Sequence, residues 1–221
     1  MQVAKVGQAA PEFARECADA RDDNRRSVRS SDYAGRWLML VFYPRDFSFV
    51  CPTELTSFSG RWMDFQQRNC DLLGVSVDSA ELHREWLRTS PAEGGLGPLQ
   101  FPLASDPDGA MARAYGVWLD EKQVSLRGLF VIDPEGILQY AVVHNLNVGR
   151  SPGEVLRVLD ALQTGALCPA SWTSGTERST SNEHCNPDAS WATIASGRGS
   201  AVARLGRSSP LGTCGWNVRW P

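Results

Sequence analysis

Phe42-Tyr-Pro-Arg-Asp-Phe-Ser-Phe-Val-Cys51-Pro-Thr-Glu-Leu55 places one cysteine where an apolar strand gives way to a helix. Upstream, Trp37-Leu-Met-Leu-Val-Phe-Tyr43 is a continuous apolar and aromatic run, short enough for a strand buried on both faces and too short to span a membrane. Downstream, Pro52 suits the first helical position, where its missing N–H has no intrahelical partner anyway. Leu55, Phe58, Trp62 and Phe65 then recur at steps of three or four, one face of a helix, and Glu54 adds a favourable carboxylate to the first turn. That position makes reactive thiols. An ordinary thiol with a pKa near ~8.5 is only a few per cent ionised at neutral pH, and a helix N-terminus or a nearby arginine lowers such a pKa by ~1–5 units. The competing reading is a small buried hydrophobe, the commonest fate of a free cysteine.

Working outward, hydrophobic patterning predicts strands at about 37–43, 72–77, 128–133 and 138–143, and helices at about 52–65, 81–89, 110–115 and 152–163. Asp133-Pro-Glu-Gly136 is hairpin chemistry between the last two strands. The resulting β-α-β-α-α-β-β-α order is α/β and fits a mixed central sheet flanked by helices.

The chain of 221 residues carries 22 basic and 25 acidic side chains, a formal charge of -3. That balance gives no electrostatic reason to expect nucleic acid or an anionic membrane as partner. The opening Met1-Gln-Val-Ala-Lys5 lacks the apolar core of a secretory signal, and no run approaches the ~18 apolar residues of a membrane span, so a cytoplasmic location is expected. The six cysteines, Cys17, Cys51, Cys70, Cys168, Cys185 and Cys214, contain no C-x-x-C spacing and no zinc-type pairing. No metal or cofactor is expected, since Gly197-Arg-Gly199 lacks the third glycine and the preceding strand of a dinucleotide fingerprint. Cys70, beside Leu72 and Leu73, reads as a packing residue; Cys17 has no identifiable job. After Trp172 the composition turns to Ser, Gly and Arg without a sustained hydrophobic period, so residues 1–172 read as one domain and 173–221 as an irregular, poorly ordered tail.

Pro44-Arg-Asp-Phe-Ser48-Phe-Val-Cys51 resembles the Pro-x-x-x-Thr/Ser-x-x-Cys signature of peroxiredoxins, and Val50-Cys-Pro-Thr-Glu-Leu55 resembles their typical 2-Cys and alkyl hydroperoxide reductase subgroup. Val75-Ser-Val-Asp-Ser79 with His83 and Trp86 resembles the second core strand and its helix. Ser125-Leu-Arg127-Gly resembles the segment of the active-site arginine, Asn147-Val-Gly-Arg150-Ser a later arginine segment, and Leu167-Cys168-Pro-Ala-Ser-Trp172 the segment of the resolving cysteine. These matches keep the family's order from about Val3 to Trp172.

The resemblance implies a thioredoxin-like fold and a thiol-dependent peroxidase acting on hydrogen peroxide and organic hydroperoxides. Cys51 would attack the peroxide and become a sulfenic acid. Pro44 would shield the thiolate, while Ser48 and Arg127 would donate to the peroxide oxygens. Ser48 stands where Thr is common, keeping the hydroxyl without the methyl group that restricts its rotamer. Glu54 and Arg150 would orient Arg127, although an ordinary surface salt bridge explains such residues too, and a surface ion pair explains Arg127. Cys168 of a second subunit would resolve the sulfenic acid in a homodimer, alone or in a ring of dimers, with Cys185 and Cys214 as rivals. A thioredoxin-type protein or a dedicated flavoprotein reductase would reduce the disulfide. A redox-regulated chaperone and a peroxide sensor are the alternative functions. Glu93-Gly94-Gly95-Leu96-Gly97-Pro98 resembles the glycine motif of easily overoxidised members, but its usual Tyr-Phe companion is absent after Trp172.

Overall fold

The structure is a computed structural model that describes residues 3–24 and 27–175. Cys185, Cys214 and nearly all of the 173–221 segment lie outside the described residues. In chain order the elements are β1 (Ala14–Ala18), β2 (Ser27–Arg29), β3 (Trp37–Phe42), α1 (Cys51–Gly60), α2 (Trp62–Gln66), β4 (Cys70–Ser76) and α3 (Ala80–Arg88). There follow β5 (Leu103–Ser105), α4 (Ala110–Ala114), β6 (Trp118–Leu119), β7 (Val124–Ser125), β8 (Arg127–Ile132), β9 (Leu138–His144) and α5 (Pro152–Thr164).

Seven strands form one sheet in the order β2-β1-β5-β4-β3-β8-β9, and β6 pairs with β7 apart from it. β3, β4 and β5 run parallel, whereas β8 joins β3, and β9 joins β8, in antiparallel register. The sheet is therefore mixed, as the alternation of strands and helices predicts, and β3 lies well inside it. Successive side chains of a strand point to opposite faces. Met39, Val41 and Tyr43 enter one core with Leu55, Phe58, Trp86 and Leu159, while Leu38, Leu40 and Phe42 enter the other with Tyr115, Val117 and Phe130. The unbroken apolar run from Trp37 reflects burial on both sides.

Two sequence expectations change. The single helix at 52–65 is two helices, because the chain leaves helical geometry at Arg61, just after Gly60, with φ -103° and ψ 12°. The helix-spaced apolar face nevertheless survives the break, since Phe58 of α1 meets Phe65 of α2 with ring centroids 6.1 Å apart. The strand count was also too low: β1, β2, β5, β6 and β7 are two to five residues long, below the length at which alternation is legible. β1 gives Cys17 its role, which is packing: it is fully buried in the second core opposite Ala104 of β5. Cys70, at the start of β4, is also buried, and that burial pushes its thiol far above the usual value, away from thiolate chemistry.

Candidate active site

The loop from Tyr43 to Val50 leaves the end of β3 and delivers Cys51 into the first turn of α1. The turn closes as Glu54 N–H donates to the Val50 carbonyl at 3.3 Å, helped by Thr53 Oγ1 on the same oxygen at 2.7 Å. Cys51 thereby lies among the N–H groups that an α-helix leaves unpaired at its start, where the partial charge is positive. The residue is completely buried. A buried cysteine alone would be inert packing, and what decides between the two readings is its charged neighbour.

That neighbour is Arg127, the first residue of β8, whose Nη1 lies 3.4 Å from Cys51 Sγ. Arg127 is 2% exposed, so the surface ion pair is ruled out. Its Nε donates to the Leu146 carbonyl at 2.7 Å, and Nη1 also donates to Glu54 Oε2. Glu54 faces a second guanidinium. Arg150 donates to its Oε1 from the backbone N–H at 2.7 Å and from Nε at 2.8 Å, and to Oε2 from Nη2 at 3.2 Å. Arg150 Nη1 ends on the Gly128 carbonyl at 2.6 Å. Glu54 and Arg150 are buried as well, so this is a core network and no ordinary surface bridge. Gly149 permits the approach, since a Cβ there would come within 3.3 Å of the Glu54 side chain.

Burial by itself would raise the Glu54 carboxyl, but the hydrogen bonds and charge of Arg150, joined by the charge of Arg127, hold it below its ordinary value of 4.5. Burial also brings the Arg150 guanidinium below its usual range, against the opposing pull of Glu54. A carboxyl depressed in the folded state contributes stability that is present above its unfolded pKa and is lost as pH falls through the folded one. Glu54→Gln should therefore flatten the acid limb of the stability curve below about pH 4.5. It should also cost about 3–5 kcal/mol at pH 7, because two buried guanidinium groups lose their counter-charge. Denaturant unfolding at several pH values checks this, and an unchanged acid limb would contradict it. Asp46 acts with the opposite sign, so the comparison with the variant is the informative one.

Asp46 belongs to a buried pair that sequence reasoning missed. Its Oδ2 lies 2.7 Å from His83 Nδ1, its Oδ1 accepts from Tyr43 Oη at 2.9 Å, and its backbone N–H donates to Asp78 Oδ2 at 2.7 Å. Burial raises the Asp46 carboxyl, with His83 opposing, and burial raises the Tyr43 phenol. His83 Nε2 faces the Ala104 carbonyl at 3.3 Å, which can only accept, so that nitrogen carries hydrogen. The pair anchors the base of the cysteine loop to α3 and β5. The next residue, Phe47, has φ 49°, a left-handed backbone rare for a bulky side chain, and packs on Trp86 with centroids 5.8 Å apart. Both residues fall in or beside matched segments, Asp46 within Pro44 to Cys51 and His83 after Val75 to Ser79, but nothing in the sequence pairs them.

The remaining expected residues are placed less tightly. Pro44 directly follows β3 and Tyr43 and is half-buried. Ser48 Oγ is buried and has no hydrogen-bond partner among the described residues. Cys168 is not brought to Cys51: both are free thiols, and the Cys168 sulfur rests near Thr164 Oγ1 at 3.6 Å and the Ala166 carbonyl at 3.5 Å. Among the described residues no group of three or more His, Cys, Asp or Glu could hold a metal ion, and no helix is long and apolar enough to cross a membrane.

The sequence model of the AhpC/TSA family matches residues 6–141. Peroxiredoxin-2 of Bos taurus is 45% identical over 178 residues, covering 79% of this chain and 88% of that protein. The chloroplastic 2-Cys peroxiredoxin BAS1 of Hordeum vulgare is 45% identical over 175 residues, covering 77% and 82%. Among solved structures, the reduced 2-Cys peroxiredoxin of Plasmodium vivax superposes with a TM-score of 0.75 at 39% identity, over 78% of this chain and 91% of that one. AhpC of Enterococcus faecalis gives 0.68 at 30% identity, over 76% and 100%. A thioredoxin-like mixed sheet, a buried cysteine on a helix N-terminus under an arginine, and these relationships agree, and the chain belongs to the AhpC/TSA family, the thiol peroxidases called peroxiredoxins.

Proposed function

We propose that this peroxidase works through Cys51 as the attacking thiolate and Cys168 of a second copy as the resolving thiol. The observation that carries the reading is the buried Arg127 guanidinium 3.4 Å from the Cys51 sulfur. It supplies positive charge where sulfur must carry a negative one and where the departing oxygen will gather charge. Cys51 attacks one oxygen of the hydroperoxide; the S–O bond forms, the O–O bond breaks, and the leaving oxygen takes a proton to become water or an alcohol. Ser48, with its hydroxyl uncommitted among the described residues, serves as a donor to the peroxide, and Pro44 covers the loop side. Glu54 and Arg150 are positioning residues that hold Arg127.

The separation of Cys51 from Cys168 within the chain supports resolution between copies, in a homodimer or a ring of dimers. A dithiol protein of the thioredoxin type then returns both thiols. The working unit is residues 1–172. Consumption of peroxide coupled to a thioredoxin system tests the whole cycle: turnover is expected, and none with any dithiol donor would overturn the reading.

Cys168→Ser should still consume one equivalent of peroxide, because attack precedes resolution, yet yield no nonreducing dimer. A chain ending soon after Trp172 should keep both steps. Dimer formation in Cys168→Ser, lost on truncation, would instead assign resolution to Cys185 or Cys214.

A further inference from the structure

Arg127 stands where two neighbouring strands part. The antiparallel ladder between β3 and β8 runs from Leu38 opposite Ile132 to Val41 opposite Leu129 and stops there, although β8 stays paired with β9 as far as Arg127, opposite His144. Gly128 N–H turns back to the Leu126 carbonyl at 2.9 Å, the kink at which β8 draws away from β3. Beyond the end of the ladder the Arg127 guanidinium meets the Cys51 sulfur at 3.4 Å. Pairing between β3 and β8 therefore does not fix how far the start of the cysteine loop lies from the segment of the arginine.

One side chain spans that opening. Tyr43, the last residue before Pro44, gives its N–H to the Val75 carbonyl of β4 at 3.0 Å, and no backbone N–H donates to its own carbonyl among the described residues. Ser125 Oγ donates to that carbonyl at 2.9 Å, from 82 residues further along the chain. The bond is buried, with Ser125 1% exposed and Tyr43 fully covered. The serine backbone is itself held, because Ser125 pairs with Trp118 of β6 and the next N–H, that of Leu126, donates to the Val117 carbonyl at 2.7 Å. A fixed donor two residues before Arg127 thus grips the residue that leads into Pro44, Ser48 and Cys51. A buried carbonyl without a donor is costly, so the backbone is held to the geometry that keeps this bond.

We infer that Ser125 is a positioning residue for the peroxide step: its hydroxyl sets the spacing between Arg127 and the cysteine loop at the point where strand pairing has ended. The inference rests on Cys51 attacking the peroxide with Arg127 as a donor to it. Arg127 is fixed on its other sides by the Leu146 carbonyl and by Glu54, which tie it to the chain beyond β9 and to α1. Ser125 supplies the remaining reference, to the loop that carries Pro44 and Ser48. A donor to developing charge acts fully only within about 2.7–3.1 Å of the place the charged oxygen will occupy. A small slip between the arginine and the loop is therefore felt in the rate before it is felt in the fold.

Single-turnover oxidation of the reduced full-length protein by hydrogen peroxide tests this. Ser125→Ala should slow the peroxide step about fivefold, the scale of one neutral buried hydrogen bond, and leave the later disulfide step unchanged. Ser125→Thr, which keeps the hydroxyl, should stay within about twofold of wild type on the same scale. The decisive comparison is made in the Arg127→Ala background, where removing the serine hydroxyl should cost less than about twofold, because residues that act as one unit are not additive. A wild-type rate in Ser125→Ala overturns the inference. So does a threonine variant as slow as the alanine variant, since space rather than the hydroxyl would then matter. An equal fivefold loss with and without Arg127 also overturns it, because the serine would then support the fold in general and not the placing of the arginine. Failure of the underlying reading shows separately, as a wild-type peroxide step in Arg127→Ala alone.

Discussion

Cys51→Ser is expected to abolish peroxide reduction, with a loss on the order of 10⁴-fold or more, the scale seen when an enzyme loses its nucleophile. A serine hydroxyl at this site cannot become the required anion near neutral pH, and no other described thiol is placed to substitute for Cys51. Cys17 and Cys70 are fully buried in the two cores, and Cys168 lies against α5 with no arginine bonded to its sulfur. The fold should persist, since serine is close in size and Arg127 keeps its bonds to Glu54 and the Leu146 carbonyl. Peroxide consumption by the purified variant, with unfolding followed in parallel, checks both halves. More than a trace of turnover would remove Cys51 from the chemistry.

Arg127→Ala is the second large effect, with the peroxide step slowed about 10²-fold, the usual consequence of removing one donor aimed at developing charge. Single-turnover oxidation isolates that step from resolution and reduction. Truncation also leaves Glu54 to Arg150 alone and opens space in a buried network, so part of any loss is structural. Arg127→Lys separates the two contributions: it restores charge near Cys51 without the three-way bonding to Leu146, Glu54 and sulfur, and should recover part of the rate. A single-turnover rate close to wild type in the alanine variant would make Arg127 a packing and pairing residue only.

What the sequence revealed and what it hid follow from how far apart the interacting residues lie. The strand at Trp37, the turn into α1 and the apolar face through Phe58 and Phe65 are local patterns, so they were legible from periodicity and from Pro52. The Arg127–Glu54–Arg150 network is not local: Glu54 lies 73 residues from Arg127 and 96 from Arg150, and only the family resemblance suggested that they meet. Whether they were buried or exposed could not be read from the residues, because an arginine before an apolar strand fits either case. The Asp46–His83 pair, 37 residues apart, went unread because neither residue has a pattern of its own; the bond arises where the end of β3 passes the start of α3. The short strands β1 and β5 were invisible for a different reason. They are short strands inside the sheet, each held between two neighbours and stabilised by that pairing, and Cys17 gained a role only when β1 met β5.

The most direct measurement of the central claim is to treat the reduced Cys168→Ser protein with one equivalent of hydrogen peroxide, trap sulfenic acid with a carbon nucleophile, and map the label by peptide mass spectrometry. Without its resolving partner the sulfenic acid should persist long enough to be captured. The account predicts close to one label per chain, on Cys51, matched by the peroxide consumed, and the same experiment in Cys51→Ser should give neither. Peroxide consumed with the label on Cys17, Cys70, Cys185 or Cys214, or label formation undiminished in Cys51→Ser, would contradict it.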